Sequence, residues 1–252
     1  MPEVSVIMPA YNAEKTISAS VSSVLAQSFA DYELIIVDDC SGDGSHAICK
    51  AFAAADARVS LYRNDANRGV AFSRNRGIAA AKGRWIAFLD SDDLWQVDKL
   101  ERQLRFIEET GAAISYTASA FIDARGKGYA YVLHAKKELS YRDLLRRNLM
   151  SCSSVIVRRD LMLGESFVDG PLHEDYAAWL RIVRSTGPAY GLDEPLLTYR
   201  VSRSSRSGQR LRSGAMVYRT YREVGYGAAR SMLMTLRYAA HSIIKHRHFT
   251  AR

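Results

Sequence analysis

The sequence predicts an α/β domain built on a mostly parallel central sheet with flanking helices, followed by a basic helical tail. Three observations carry this prediction. Short apolar runs alternate with helical patterns through the first hundred residues, as parallel strands with crossover helices do. Two of those runs end in acidic residues, where open sheets bind ligands. The composition is that of a globular chain able to bury a sizeable core, with 48% hydrophobic and 25% charged residues among 252.

Each element has its own signal. Residues 4–8 read as the first strand, and Asn12 reads as the cap of a helix whose Ile17, Val21, Val24 and Leu25 fall on one stripe. Residues 34–37 make the second strand and 45–55 the second helix. A strand at 59–62, a helix at 70–81 and a fully apolar strand at 85–89 follow, and then a long amphipathic helix at 96–109. After Gly111 the strands shorten, to 114–116, 129–133, 155–157 and 197–201. Ser140-Tyr141-Arg142-Asp143 spells a capping box that opens a short helix, and 176–184 reads as another. No repeat or Pro-rich linker divides this stretch, so 1–202 is expected to be one domain. Residues 203–252 read as its helical extension, entered through a Ser/Arg-rich loop at 202–208.

Charge and composition narrow the function. The chain carries a formal +8, but eleven Lys and Arg face only Glu223 beyond residue 202, so the tail holds +10 and the body −2. A tail of that sign seeks phosphate, on nucleic acid or on a lipid surface. Nucleic-acid binding is disfavoured, because an acidic sheet edge repels a phosphate backbone and the tail spells no recognition motif. No run approaches the ~18 apolar residues of a membrane span, and Met1-Pro2-Glu3-Val4 does not open a secretory signal. Cys40, Cys49 and Cys152 fit neither a disulfide framework nor a zinc site, which points to a reducing cytoplasm.

The chemistry is expected at the strand ends. Residues 34–37 run into Asp38-Asp39, and 85–89 into Asp90-Ser91-Asp92-Asp93. Five carboxylates at one edge repel each other unless hydrogen-bond donors or a cation offset them. Asp-x-Asp suits a hard, oxygen-preferring ion whose shell substrate phosphates complete, while helix capping is the plainer use of such residues. Gly42-Asp43-Gly44-Ser45-His46-Ala47 also matches G-x-G-x-x-A. Its glycines do not begin at the strand end and Asp43 lies between them, so it reads as a flexible turn and not as a dinucleotide site.

Pro9-Ala10-Tyr11-Asn12, Val37-Asp38-Asp39-Cys40-Ser41, the run Asn67 through Asn75, Leu89-Asp90-Ser91-Asp92-Asp93, His173-Glu174-Asp175-Tyr176 with Trp179, and Tyr199-Arg200 together resemble the family 2 glycosyltransferases of the GT-A fold. The match spans nearly all of residues 3–202 in the family's order, and is similar to enzymes that build teichuronic acid, capsule and O-antigen polysaccharides. The resemblance implies a metal-dependent, inverting hexosyl transfer from a nucleotide diphosphate sugar, UDP-linked, to a saccharide acceptor carried on a polyprenyl lipid.

It also implies roles. Pro9, Ala10 and Tyr11 would line the nucleotide base, and Asp39 would accept from the uracil imide N–H, a partner that suits a group able only to accept. Asp90 would reach the ribose, with Ser91 beside it in the donor site, and Asp92 would hold Mg²⁺ or Mn²⁺ against the diphosphate. Arg68 and Arg74 would face the phosphates or neutralise the acids. Asp175 would be the base, with Glu174 the second candidate, and the dipole of the helix they open favours the ionised form. His173 reads as a structural hydrogen-bond partner, and Trp95 and Trp179 as core residues sooner than sugar platforms. Where the family often places a histidine, Ser202 stands, leaving Arg200, Arg203 or Arg206 to meet the diphosphate.

From Tyr226 onward, Met232, Leu233, Leu236, Ala240, Ile243 and Ile244 recur at helical spacing among Arg230, Arg237, Lys245 and Arg247. Such a helix can lie on an anionic membrane, which would put the protein on the inner face of the cell membrane. Packing on its own domain or on a second subunit is the alternative.

Overall fold

The computed structural model describes residues 1–201 and 210–250. Its first part follows the expected alternation: β1 (Val4–Ala10), α1 (Ile17–Leu25), β2 (Tyr32–Asp38), α2 (Ser45–Ala55), β3 (Val59–Arg63), α3 (Val70–Ala80) and β4 (Trp85–Phe88). A two-residue strand β5 (Leu94–Trp95) precedes α4 (Lys99–Thr110), so that helix starts later than its hydrophobic pattern suggests. Then come β6 (Ile114–Ile122), β7 (Gly128–Leu133), β8 (Glu138–Leu139), α5 (Tyr141–Arg146), a 3₁₀ turn at Cys152–Ser154, β9 (Ile156–Arg158), α6 (Arg159–Gly164), α7 (Glu174–Thr186) and β10 (Ala189–Arg200). Two helices, α8 (Arg210–Glu223) and α9 (Ala228–Thr250), follow.

The described strands form one sheet in the order β3-β2-β1-β4-β9-β6-β10-β5, with β7 on β6 and β8 on β10. β1 pairs in parallel with β2 and β4, and β2 with β3. β9 runs antiparallel between β4 and β6, which restores the common direction for β6 and its parallel neighbour β10. The carboxyl ends of β1, β2, β4 and β10 therefore lie along one edge.

The sheet separates two apolar layers, because side chains alternate across a strand. Val6 and Met8 of β1 pack with Ile17, Val21 and Val24 of α1 and Leu100, Leu104 and Ile107 of α4. Ile7 faces the other layer, with Phe88, Phe167 and the helices α3, α7 and α8. There α3 lies close to the sheet: a Cβ on Gly77 would stand 2.5 Å from Ile7 Cγ2, so only glycine permits this approach. Trp179 is fully buried against Phe88 and Phe167, with ring centroids 5.9 Å from each. Trp95 is buried too, its Nε1 donating to Ser153 O at 2.8 Å.

The capping box at Ser140 forms, with Ser140 Oγ accepting from Asp143 N. Asn12, in contrast, does not cap α1. Its φ is +49° and Thr16 precedes the helix, while Asn12 Oδ1 accepts from Gly42 N at 2.9 Å, tying it to the neighbouring loop.

The first described helix of the basic tail is packed onto the domain. Val217 and Tyr221 of α8, with Val224 just after it, join the core beneath α7, and Tyr221 Oη donates to Leu145 O at 2.7 Å. On α9, Ser231 is buried, Met234 and Tyr238 pack inward, and Met232, Leu233 and Leu236 stay 53%, 49% and 62% exposed. No helix among the described residues is long and apolar enough to cross a membrane. The expected 202–208 loop, with Ser202, Arg203 and Arg206, lies outside the described residues, as do the side chains of Ile243, Ile244, Lys245 and Arg247.

Candidate active site

The loops leaving β1 and β2 are laced together at the carboxyl edge. Asn12 N donates to Ser41 Oγ, Ala13 N to Ser45 Oγ, Glu14 N to Asp43 Oδ2 and Gly44 N to Glu14 Oε2. The Gly42–Gly44 turn is thus held, not flexible. The amides of Gly42, Gly44 and Ser45 are all spent on side chains, so this turn offers no pyrophosphate cradle.

The five edge carboxylates divide by partner, and hydrogen-bond donors offset most of them. Asp38 is turned inward to His46 Nδ1 at 3.0 Å and Arg63 Nε at 3.3 Å. Asp39, 3% exposed, organises the segment after β3: Oδ1 accepts from Asn64 Nδ2 at 2.7 Å and Arg68 N at 2.9 Å, and Oδ2 from Gly69 N at 2.8 Å. Gly69 has φ +87°, a conformation suited to glycine, and this turn delivers its amide to Asp39. Beside Asp39, Pro9 and Ala10 are buried at the end of β1, and Tyr11 stands 50% exposed beyond them.

Asp90 accepts from Arg74 Nη2 at 2.6 Å, its own amide donates to Ser153 Oγ at 3.0 Å, and its side chain remains 32% exposed. Ser91 is half-buried, its carbonyl held by Ser20 Oγ at 2.9 Å. Asp93 is buried and accepts from Arg200 N at 2.9 Å, and burial with Asp92 and Asp90 close by raises its pKa well above the carboxylate range. Arg200 also donates from Nε to Asp92 O at 2.9 Å, so it braces the acidic loop from the end of β10.

Asp92 is the carboxylate left over. No side chain among the described residues hydrogen-bonds it, and burial together with Asp90 pushes its pKa up to about 6. A cation would relieve both effects. No group of three His, Cys, Asp or Glu among the described residues could enclose a metal alone. A carboxylate with no side-chain donor among the described residues suits a hard, oxygen-preferring cation such as Mg²⁺ or Mn²⁺.

Across from these acids, α7 opens with Glu174 and Asp175. Glu174 is buried and accepts from Arg74 Nη1 at 2.8 Å. Asp175 is half-buried; its Oδ1 accepts from Tyr176 N at 2.7 Å, and its Oδ2 has no partner among the described residues. Burial and the Glu174 charge raise the Asp175 pKa, against the helix dipole and the opposing pull of Arg74 and His173. His173 Nε2 lies 3.3 Å from Ser213 Oγ of α8, and its amide donates to Thr220 Oγ1, a structural placement.

The two arginines part company. Arg74 is buried between Asp90 and Glu174, so of its two expected roles its geometry serves the neutralising one. Arg68 is exposed, its guanidinium 4.4 Å from the Phe72 ring centroid, and only its amide touches an acid. Sequence reasoning missed Asn64 and Ser153. Asn64 directly follows β3, and the strand-end rule that found the acids also points to it; Ser153 carried no signal.

An open sheet with a carboxylate-rich carboxyl edge, faced by a helix that opens on two acids, is the GT-A architecture, and the chain is a glycosyltransferase. It belongs to glycosyl transferase family 2, whose family model matches residues 5–161. It is 37% identical over 223 residues to the putative teichuronic acid biosynthesis glycosyltransferase TuaG of Bacillus subtilis (strain 168), covering 88% of each chain. It is also 37% identical over 211 residues to the Escherichia coli UDP-Glc:alpha-D-GlcNAc-diphosphoundecaprenol beta-1,3-glucosyltransferase WfgD, covering 83% of this chain and 81% of that one. Among solved structures, S. aureus TarS 1–349 in complex with UDP-GlcNAc superposes with TM-score 0.73 at 19% identity, over 94% of this chain and 71% of that chain. Mannosyltransferase PcManGT from Pyrobaculum calidifontis, in complex with GDP-Man and Mn²⁺, gives TM-score 0.71 at 16% identity, over 97% and 74%. These structural likenesses show the fold.

Proposed function

We propose that the protein transfers a hexose, with inversion, from a UDP-sugar to a polyprenyl-linked saccharide in cell-surface polysaccharide synthesis. The observation that carries the proposal is the division of the edge acids: Asp38 and Asp39 are tied up by protein donors, Asp90 and Asp93 are each held through one oxygen, and Asp92 accepts from no side chain among the described residues, while across from them one oxygen of Asp175 is left for a ligand. TuaG, named for teichuronic acid biosynthesis, and WfgD, named for a UDP-Glc donor and a diphosphoundecaprenol acceptor, support the substrate classes.

In this reading Pro9, Ala10 and Tyr11 line the base, Asp39 and the loop it holds meet uracil, Asp90 and Ser91 face the ribose, and Arg68 reaches toward phosphate. Asp92 would hold Mg²⁺ or Mn²⁺, which supplies positive charge to the departing diphosphate. Asp175 takes the proton of the acceptor hydroxyl as its oxygen bonds to the anomeric carbon. The carbon–oxygen bond to the diphosphate breaks on the opposite side and the electron pair leaves with it. The raised pKa of Asp175 brings it nearer the range of an effective base. The outward face of α9, with Met232, Leu233 and Leu236 beside exposed Arg230 and Arg237, would rest on the anionic membrane that carries the acceptor.

Titration of UDP with and without Mn²⁺ tests the donor half. Asp92→Ala should lose the Mn²⁺-dependent part of the affinity and keep the fold. Unchanged Mn²⁺ dependence would remove Asp92 from the role.

A further inference from the structure

Arg74 touches both halves of the site and is exposed to neither. Its side chain is 3% exposed. One Nη reaches Asp90, 16 residues away in sequence, at 2.6 Å, and the other reaches Glu174, 100 residues away, at 2.8 Å. The Phe167 ring centroid lies 5.5 Å from the guanidinium carbon, so the plane is packed as well as bonded. A guanidinium is a rigid fork whose donors diverge at fixed angles. Two carboxylates bound to its two arms are therefore held at a set separation, and an ammonium with a single nitrogen cannot reproduce it. Glu174 is the first residue of α7, and Asp175 is the next.

We propose that Arg74 is a positioning residue, a buried strut that fixes the start of α7, and with it Asp175, relative to the donor-binding acid Asp90. The proposal rests on the reading of Asp175 as base. It assigns Arg74 no contact with substrate. Its effect is felt in the rate of transfer, since a displacement of about 1 Å between base and reacting carbon can cost ~10²-fold.

Three variants of the full chain separate the possibilities, each assayed for UDP affinity with Mn²⁺ by calorimetry, melting temperature, and UDP release at saturating concentration of the UDP-hexose that the wild type turns over. Arg74→Lys keeps the charge and loses the fork. It should hold UDP affinity within about 3-fold and lose roughly 10- to 100-fold in turnover. The double variant Arg74→Met with Glu174→Gln removes both charges of the buried Arg74–Glu174 pair and leaves only the partly exposed Asp90 without its cation, which guards against simple unfolding, and it should melt above Arg74→Met alone yet remain slow. A double variant restored to within about 3-fold of wild-type turnover would reduce Arg74 to charge neutralisation. A loss of UDP affinity matching the loss of turnover in Arg74→Lys would make it a donor ligand, and wild-type turnover in Arg74→Lys would overturn the strut outright. Asp175→Asn runs beside them. A normal rate there removes the base assignment whatever Arg74→Lys does, so the two failures are distinguishable.

Discussion

Replacing Asp39 by asparagine tests whether this residue builds the loop proposed to meet the donor. The carboxylate accepts three hydrogen bonds, two on Oδ1 from Asn64 and Arg68 and one on Oδ2 from Gly69. An amide oxygen at the Oδ1 position keeps the first two but sets an N–H₂ donor against the Gly69 amide. The flipped amide keeps Gly69 and sets its donors against the other two. At least one hydrogen bond to a charged group is lost, about 1.5–3 kcal/mol, and those that remain fall toward the neutral value of about 1 kcal/mol. Asp39→Asn should therefore cost about 2 kcal/mol or more, which lowers Tm by about 4 °C or more in a chain of this size. The loss should be local, with faster hydrogen exchange at the Arg68 and Gly69 amides and weaker uridine binding with or without metal. An unchanged Tm together with a Gly69 amide that still exchanges slowly would show that the Asp39 carboxylate does not hold this loop.

Two further perturbations follow from groups away from the reacting atoms. Lys99 is fully buried, donates to Gln103 Oε1 and sits 4.2 Å from the Trp95 ring centroid; burial lowers its pKa from 10.5 to about 7. The folded chain sheds this proton near pH 7 while the unfolded chain keeps it to about 10.5, so the unfolded state binds more protons in between. Stability should rise between pH 7 and 9 by up to ~1.4 kcal/mol per unit, and Lys99→Met should remove that rise in urea denaturation; equal slopes in the two proteins would contradict it. On α9, Leu233→Glu with Leu236→Glu changes only exposed positions, so stability should shift by no more than about 0.5 kcal/mol each. Flotation with anionic vesicles should be lost, and equal flotation would make that face irrelevant to membranes.

What the sequence revealed follows from which interactions are local. The α2 helix keeps its expected bounds because its signals lie within it, and the Ser140 box forms because its two partners are three residues apart. β6 extends six residues past the three expected, because Thr117 and Ser119 are polar yet buried, which breaks the apolar run that marked it. β10 was legible only at its end, since Pro195 and a register shift between Leu192 and Leu197 interrupt the strand pattern. The acids at the sheet edge were visible because they follow apolar strands, whereas Glu174 and Asp175, which open α7, were picked out through the family resemblance alone. The bridge from Arg74 to Glu174 joins residues 100 apart, and no spacing rule spans that distance. The direction of the Asp175 shift was hidden for the same reason: the helix dipole is local, whereas the burial and charges that outweigh it come from the folded surroundings.

In the proposed mechanism Asp175 performs the chemistry while other residues hold the donor. Asp175→Asn keeps the side-chain size and the oxygen that accepts from Tyr176 N, and removes the basicity. Measured side by side, UDP affinity with Mn²⁺ should stay within about 3-fold of wild type while glycosyl transfer falls by about 10²- to 10⁴-fold, the range for loss of a general base. Transfer at a near-normal rate would contradict this role for Asp175, and an equal loss confined to Glu174→Gln would place the base one residue earlier.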